Sequence, residues 1–193
     1  MHTYELINNH YLVDIDGKRL LVDTGSPTSF WMDSHCQEIT IDGVKYTLQG
    51  RPSNVDVAET MKLIGTKVDG FIGLDIIRQT SLTIYKNGLI EFRPNEVDGK
   101  RIDLNTNGFL TFRVEAHAMS GAFIIDTGAK YGYGIRGLFD GLTAFGHVED
   151  YNPILGKLKS DLYHLDIIVG EGKKWWTYAI TPLFPQCLMA GAS

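Results

Sequence analysis

Two aspartates in this chain keep the same company. Leu20-Leu21-Val22-Asp23-Thr24-Gly25-Ser26 and Ala122-Phe123-Ile124-Ile125-Asp126-Thr127-Gly128-Ala129 each run an apolar segment straight into Asp-Thr-Gly. Each residue type brings something to the chemistry. Asp supplies a carboxylate, Thr a hydroxyl that can bond to backbone or to its twin, and Gly a tight turn that leaves amide N–H groups close to the carboxylate. A single carboxylate is only a base. Two carboxylates brought face to face repel, so one is driven towards protonation. The pair then holds one proton for general acid and base work on a single water. The copies lie 103 residues apart in the chain, so whatever folds between them must bring them together.

The surrounding segments read as strands: short runs of Val, Ile, Leu, Thr, Phe and Tyr broken by Gly and Asn. Tyr11–Ile15 alternates, turns at Asp16-Gly17 and returns as Arg19–Val22 into the first motif, a hairpin whose Asp-Gly suits a type I′ turn. Phe112–Ala116 goes out, with a turn expected near Met119-Ser120-Gly121, and Ala122–Ile125 comes back into the second motif. Ser81–Tyr85 and Leu89–Phe92 flank Asn87-Gly88 as a further hairpin. Residues 94–100 are polar and hold Pro and Gly, which suits a linker. The chain is therefore expected to be mainly β with little helix beyond a short one at Leu74–Gln79. The expected division is an N-terminal lobe of residues 1–93, a linker of 94–100 and a C-terminal lobe of 101–193.

With these residues in hand, the chain resembles the aspartic protease family, both its pepsin-like and its retropepsin-like members. The resemblance adds a third segment, Gly70-Phe71-Ile72-Gly73-Leu74-Asp75-Ile76-Ile77, similar to the family's hydrophobic-hydrophobic-Gly motif and the short helix after it. It is specific over about the first 93 residues, with some 50 residues between Asp23 and Gly73. It implies a two-lobed fold, each lobe a small β-barrel or sandwich carrying one Asp-Thr-Gly loop. It also implies that Asp23 and Asp126 hold a water between them, so that peptide hydrolysis proceeds with neither covalent intermediate nor metal. Thr24 and Thr127 would lock the two loops together, with Gly25 and Gly128 in the turns. Ser26 would support its neighbouring carboxylate, whereas Ala129 has no hydroxyl for Asp126, so Asp23 is expected to be the more readily ionised. A flap over the substrate would come from residues 39–57, with Tyr46 as its candidate aromatic; the alternative for Tyr46 is a strand tyrosine on a half-buried face.

The second lobe departs from the pattern. Its only apolar-Gly segment, Leu188-Met189-Ala190-Gly191, comes 65 residues after Asp126 and close to the end of the sequence. A reduced lobe, a truncated sequence and completion by another chain all stay open.

Composition bounds the rest. The 193 residues, 44% hydrophobic, carry a net charge of −5, which supplies no basic field for nucleic acid or an anionic membrane. Cys36 and Cys187 have no C-x-x-C spacing, and two separate thiols are expected, with a disulfide left open. The start, Met1–Leu6, lacks the features of a signal peptide, and no apolar run approaches the ~18 residues of a membrane span. A cytoplasmic protein is expected, with a removed leader left open. The six histidines include no His-x-x-x-His pair, so neither metal nor cofactor is expected.

Asp14-Ile15-Asp16-Gly17 reads as hairpin rather than as a phosphatase motif, and Gly132–Gly137 as a mobile turn rather than a phosphate loop. Trp175-Trp176 reads as strand, and Asp150-Tyr151-Asn152-Pro153 as a turn. The expected activity is that of an aspartic-type endopeptidase acting on a peptide or protein, a monomer rather than a homodimer. The alternative is a protease-like module that binds peptides without cleaving them.

Overall fold

A computed structural model of the chain describes residues 1–93, 107–116, 119–134, 139–152, 156–169 and 172–180. The expected linker 94–100, Cys187 and the segment 188–191 lie outside them. The protein is mainly β, as expected. It divides into two compact units: Met1–Arg101 with Thr106–Leu110 and Ile125–Lys130, and Ile102–Asn105 with Thr111–Ile124 and Tyr131–Ser193. The short stretch holding Asp126, Thr127, Gly128 and Ala129 thus belongs to the same unit as Asp23.

The first unit begins with β1 (His2–Ile7), β2 (His10–Ile15) and β3 (Lys18–Val22), an antiparallel meander. Both of its turns carry left-handed residues, Asn8 and Asn9 at φ 48° and 69° and Asp16 and Gly17 at 52° and 71°. Two consecutive positive φ values make a type I′ turn, whose twist matches that of the strands it joins. The chain continues through β4 (Phe30–Trp31), the hairpin β5 (Gln37–Ile41) and β6 (Val44–Leu48), and α1 (Val57–Ile64). It closes with β7 (Gly70–Ile72), α2 (Leu74–Ile77), β8 (Leu82–Ile84) and β9 (Leu89–Phe92). Seven of these strands form one sheet in the order β4-β7-β3-β2-β1-β9-β8, while β5 and β6 pair only with each other.

Strand alternation explains why this sheet is covered on both faces. Successive side chains point to opposite sides. Val13, Ile15, Leu20, Val22 and Ile72 therefore share one cluster with Ile39, Ile41 and Leu48 of the β5–β6 hairpin and with Ile76, Ile77, Ile90 and Phe92. Their neighbours Leu12, Leu21 and Phe71 share the other with Phe30, Met32, Val55, Val68 and Ile64 of α1. Each fully buried Leu, Ile or Phe contributes roughly 1.5–3 kcal/mol, so the strand that leads into Asp23 is held from both sides.

Helix α1 was not anticipated by the strand pattern, yet its ends are written in the sequence. Asp56 caps it, its carboxylate accepting from the Glu59 N–H at 3.1 Å. Gly65 ends it in the left-handed conformation at φ 85°, with its N–H donating to Met61 O.

The second unit holds β10 (Thr111–Ala116), β11 (Met119–Ile124), β12 (Gly132–Gly134), β13 (Gly146–Asn152), β14 (Gly156–Val169) and β15 (Gly172–Ile180). Its sheet runs β11-β10-β14-β15-β12, with β13 also on β14. Three segments expected as turns are strand over their described residues; residues 135–137 and Pro153 lie outside these. Met119-Ser120-Gly121 pairs in register with Ala116, Glu115 and Val114, so the glycine lies within β11. Gly132–Gly134 runs parallel to Tyr178–Ile180, and Asp150–Asn152 carries the β13–β14 ladder to the residue before Pro153. In each case cross-strand pairing overrides a local turn preference. Trp175 and Trp176 are in β15, as read from the sequence. Among the described residues no helix is long and apolar enough to cross a membrane.

Candidate active site

The first Asp-Thr-Gly loop begins where the sheet ladder ends. Asp23 N–H makes the last bond of β3, to Ile72 O at 2.9 Å, and the chain then folds back over its own carboxylate. The Gly25 and Ser26 N–H groups both donate to Asp23 Oδ1, at 2.8 and 3.0 Å. The loop is held against the Gly73 segment. Leu74 N–H donates to Ser26 O at 2.9 Å, and a Cβ on Gly73 would lie 2.6 Å from the Thr28 carbonyl carbon, so only glycine permits that approach.

Asp75, the first acidic residue of α2, completes the brace. Its Oδ1 accepts from Ser29 N–H at 2.9 Å, Ser29 Oγ–H at 2.5 Å and Ile76 N–H at 2.9 Å, while Ser29 Oγ accepts from Gly73 N–H at 2.8 Å. Asp75 was read from the sequence only as part of the hydrophobic-Gly segment. An acidic residue two positions after its last glycine was the available signal.

The second loop repeats the first, with Gly128 N–H donating to Asp126 Oδ1 at 2.9 Å. The two are interlocked through their threonines. Thr24 N–H donates to Thr127 Oγ1 and Thr127 N–H to Thr24 Oγ1, both at 3.0 Å. Each hydroxyl then donates across to the strand end of the opposite loop, Thr24 to Ile125 O at 2.6 Å and Thr127 to Val22 O at 2.7 Å. The pattern has an approximate twofold relation that the repeated tripeptide makes possible. The glycines obey the same relation. A Cβ on Gly25 would collide with the carboxyl group of Asp126, and one on Gly128 with that of Asp23. Each carboxylate therefore lies directly against the turn of the other loop.

Proton affinities follow from this packing. Burial, and then the charge of Asp126, push Asp23 up from 3.8 to about 8, against the pull of the Gly25 and Ser26 N–H bonds. Asp126 keeps an exposed face. Burial still raises it, while N–H bonds from Gly128 and Ala129, a hydrogen bond with Asp23 and the charge of His10 oppose the rise. Both carboxyl groups are raised, so the pair holds a proton as a unit. The Ser26 hydroxyl donates to Thr28 O at 2.8 Å, and it is the Ser26 backbone N–H that reaches Asp23.

Tyr46 lies in β6 opposite Ile39 and packs, half-buried, on the core cluster of that hairpin. Two further residues near the site had drawn no notice in the sequence. Asn9 donates from Nδ2 to Lys130 O at 3.1 Å, and His10 is fully buried, with Nδ1 3.2 Å from Ile7 O. The Asn-Asn pair between two apolar strands was the legible sign of a tight turn there. Among the described residues no group of three or more His, Cys, Asp or Glu is gathered to hold a metal ion.

No protein-family model matches the chain, and no curated protein matches it in sequence.

Proposed function

We propose that the protein is an aspartic-type endopeptidase of the two-lobed acid-protease-like class, with Asp23 and Asp126 as its catalytic pair. The observation that carries this reading is the reciprocal lock. Two Asp-Thr-Gly loops exchange threonine bonds, and each glycine abuts the opposite carboxyl group. Such a pair holds one proton between two carboxylates over a wide pH range. Asp126, ionised, takes a proton from a water lying between the two groups, and that water's oxygen adds to the scissile carbonyl carbon. Asp23 gives its proton to the carbonyl oxygen, forming a neutral tetrahedral diol. Proton transfer to the peptide nitrogen then lets the C–N bond break, and the pair regains its single proton. An extended peptide would be bound by strand-like backbone hydrogen bonds.

The test is cleavage of a peptide library by the full chain and by Asp23→Asn and Asp126→Asn separately. Each variant should lose at least about 100-fold in kcat/KM. Turnover that survives either substitution would overturn the proposal, and binding without turnover in the parent would make the protein a peptide-binding module.

A further inference from the structure

The turn between β1 and β2 holds two different parts of the first unit at once. Asn8 and Asn9 are both left-handed, which fixes the turn and sends their amides to different partners. Asn8 Nδ2 donates to Ile64 O at 3.2 Å and approaches Leu63 O at 3.5 Å, at the end of α1. Asn9 Nδ2 donates to Lys130 O at 3.1 Å, the carbonyl directly after Ala129. A bond spanning 121 residues of sequence therefore fastens the far end of the second Asp-Thr-Gly loop to the first meander. His10 follows in the chain, and its complete burial anchors the turn.

We propose that Asn9 is a positioning residue for the second loop, holding the Lys130 carbonyl so that Asp126 stays in place against Asp23. The Thr127 bonds secure the middle of that loop, and Asn9 secures its exit. The charge of His10, next in the chain, acts on Asp126 to lower its proton affinity, so a loop that drifts from the turn changes the proton balance of the pair. The catalytic consequence rests on the peptidase reading; the placement of Asp126 does not.

Asn8 and Asn9 make a matched test, since glycine keeps the left-handed backbone at either position and removes one amide bond. The full-length parent, Asn9→Gly and Asn8→Gly are compared by 13C NMR titration of the aspartate carboxyl carbons and by peptide cleavage. In Asn9→Gly the titration of the Asp23–Asp126 pair should move by at least about 0.5 pH unit. Its kcat should fall about 3- to 10-fold with KM within about twofold, the mark of misplacement rather than lost binding. Asn8→Gly should leave the titration and kcat unchanged and lower only thermal stability. An unshifted pair in Asn9→Gly, or the same shift in both variants, overturns the proposal. A parent that cleaves nothing defeats the peptidase reading alone, because the carboxyl titration still decides whether Asn9 places Asp126.

Discussion

At the scale of single residues, the site turns on the proton that the two carboxyl groups share. Burial, and then the charge of Asp126, push Asp23 up from an ordinary 3.8 to about 8, so the folded state binds that proton more tightly than the unfolded state does. Below the ordinary value both states are protonated and nothing is lost. As pH rises from about 4 to 8 the difference in proton binding erodes stability, and above 8 the loss is constant. Asp23→Asn, which cannot ionise, should match the parent near pH 4. By pH 8 it should exceed it by on the order of a few kcal/mol in urea unfolding. Hydrolysis by the parent should fall off on the alkaline side near pH 8, as the pair gives up its last proton. Gly25→Ala makes a second test. Its Cβ would drive into the Asp126 carboxyl group, so the variant should lose about 1–3 kcal/mol to overpacking and its cleavage of peptides with it.

At the scale of elements, Asp75 binds the loop after Asp23 to the Gly73 segment through three accepted hydrogen bonds. Asp75→Ala strands the Ser29 N–H and hydroxyl, while Ile76 N–H keeps its bond to Gly73 O at 3.2 Å, and should cost about 2–4 kcal/mol, whereas Asp75→Asn, keeping one acceptor oxygen, should cost about half as much; chemical denaturation of both variants checks the ratio. What could be read in advance follows the same division. The Asp16-Gly17 hairpin and the α2 helix were legible because their signals are local and agree with one another, whereas the parallel pairing of β3 with β7 joins segments far apart in the chain and had no local signal. Helix α1 had its signals too, Asp56, Glu59 and Gly65, but its capping aspartate closed the stretch assigned to a flap and the residues after it were given no element. Gly121 misled because a glycine can sit inside a strand when both neighbours pair. The Ser26 hydroxyl is a different case: it donates to the backbone carbonyl of Thr28, a local partner that spacing alone does not reveal.

At the scale of the whole molecule, one chain supplies both members of the pair, and the threonine bonds between the loops are internal to it. Activity per molecule should therefore stay constant on dilution through the nanomolar range, and the mass in solution should be that of one chain. Loss of specific activity on dilution would mean that a second copy completes the site.

The same threonine bonds set a clock. Thr24 and Thr127 are 103 residues apart, so at the usual ~5–20 residues per second a ribosome spends roughly 5–20 s between making one and making the other. Throughout that interval the nascent chain carries a lone carboxylate with no partner to share a proton. Whatever this pair can cut, the emerging polypeptide is out of its own reach until the second loop has been made.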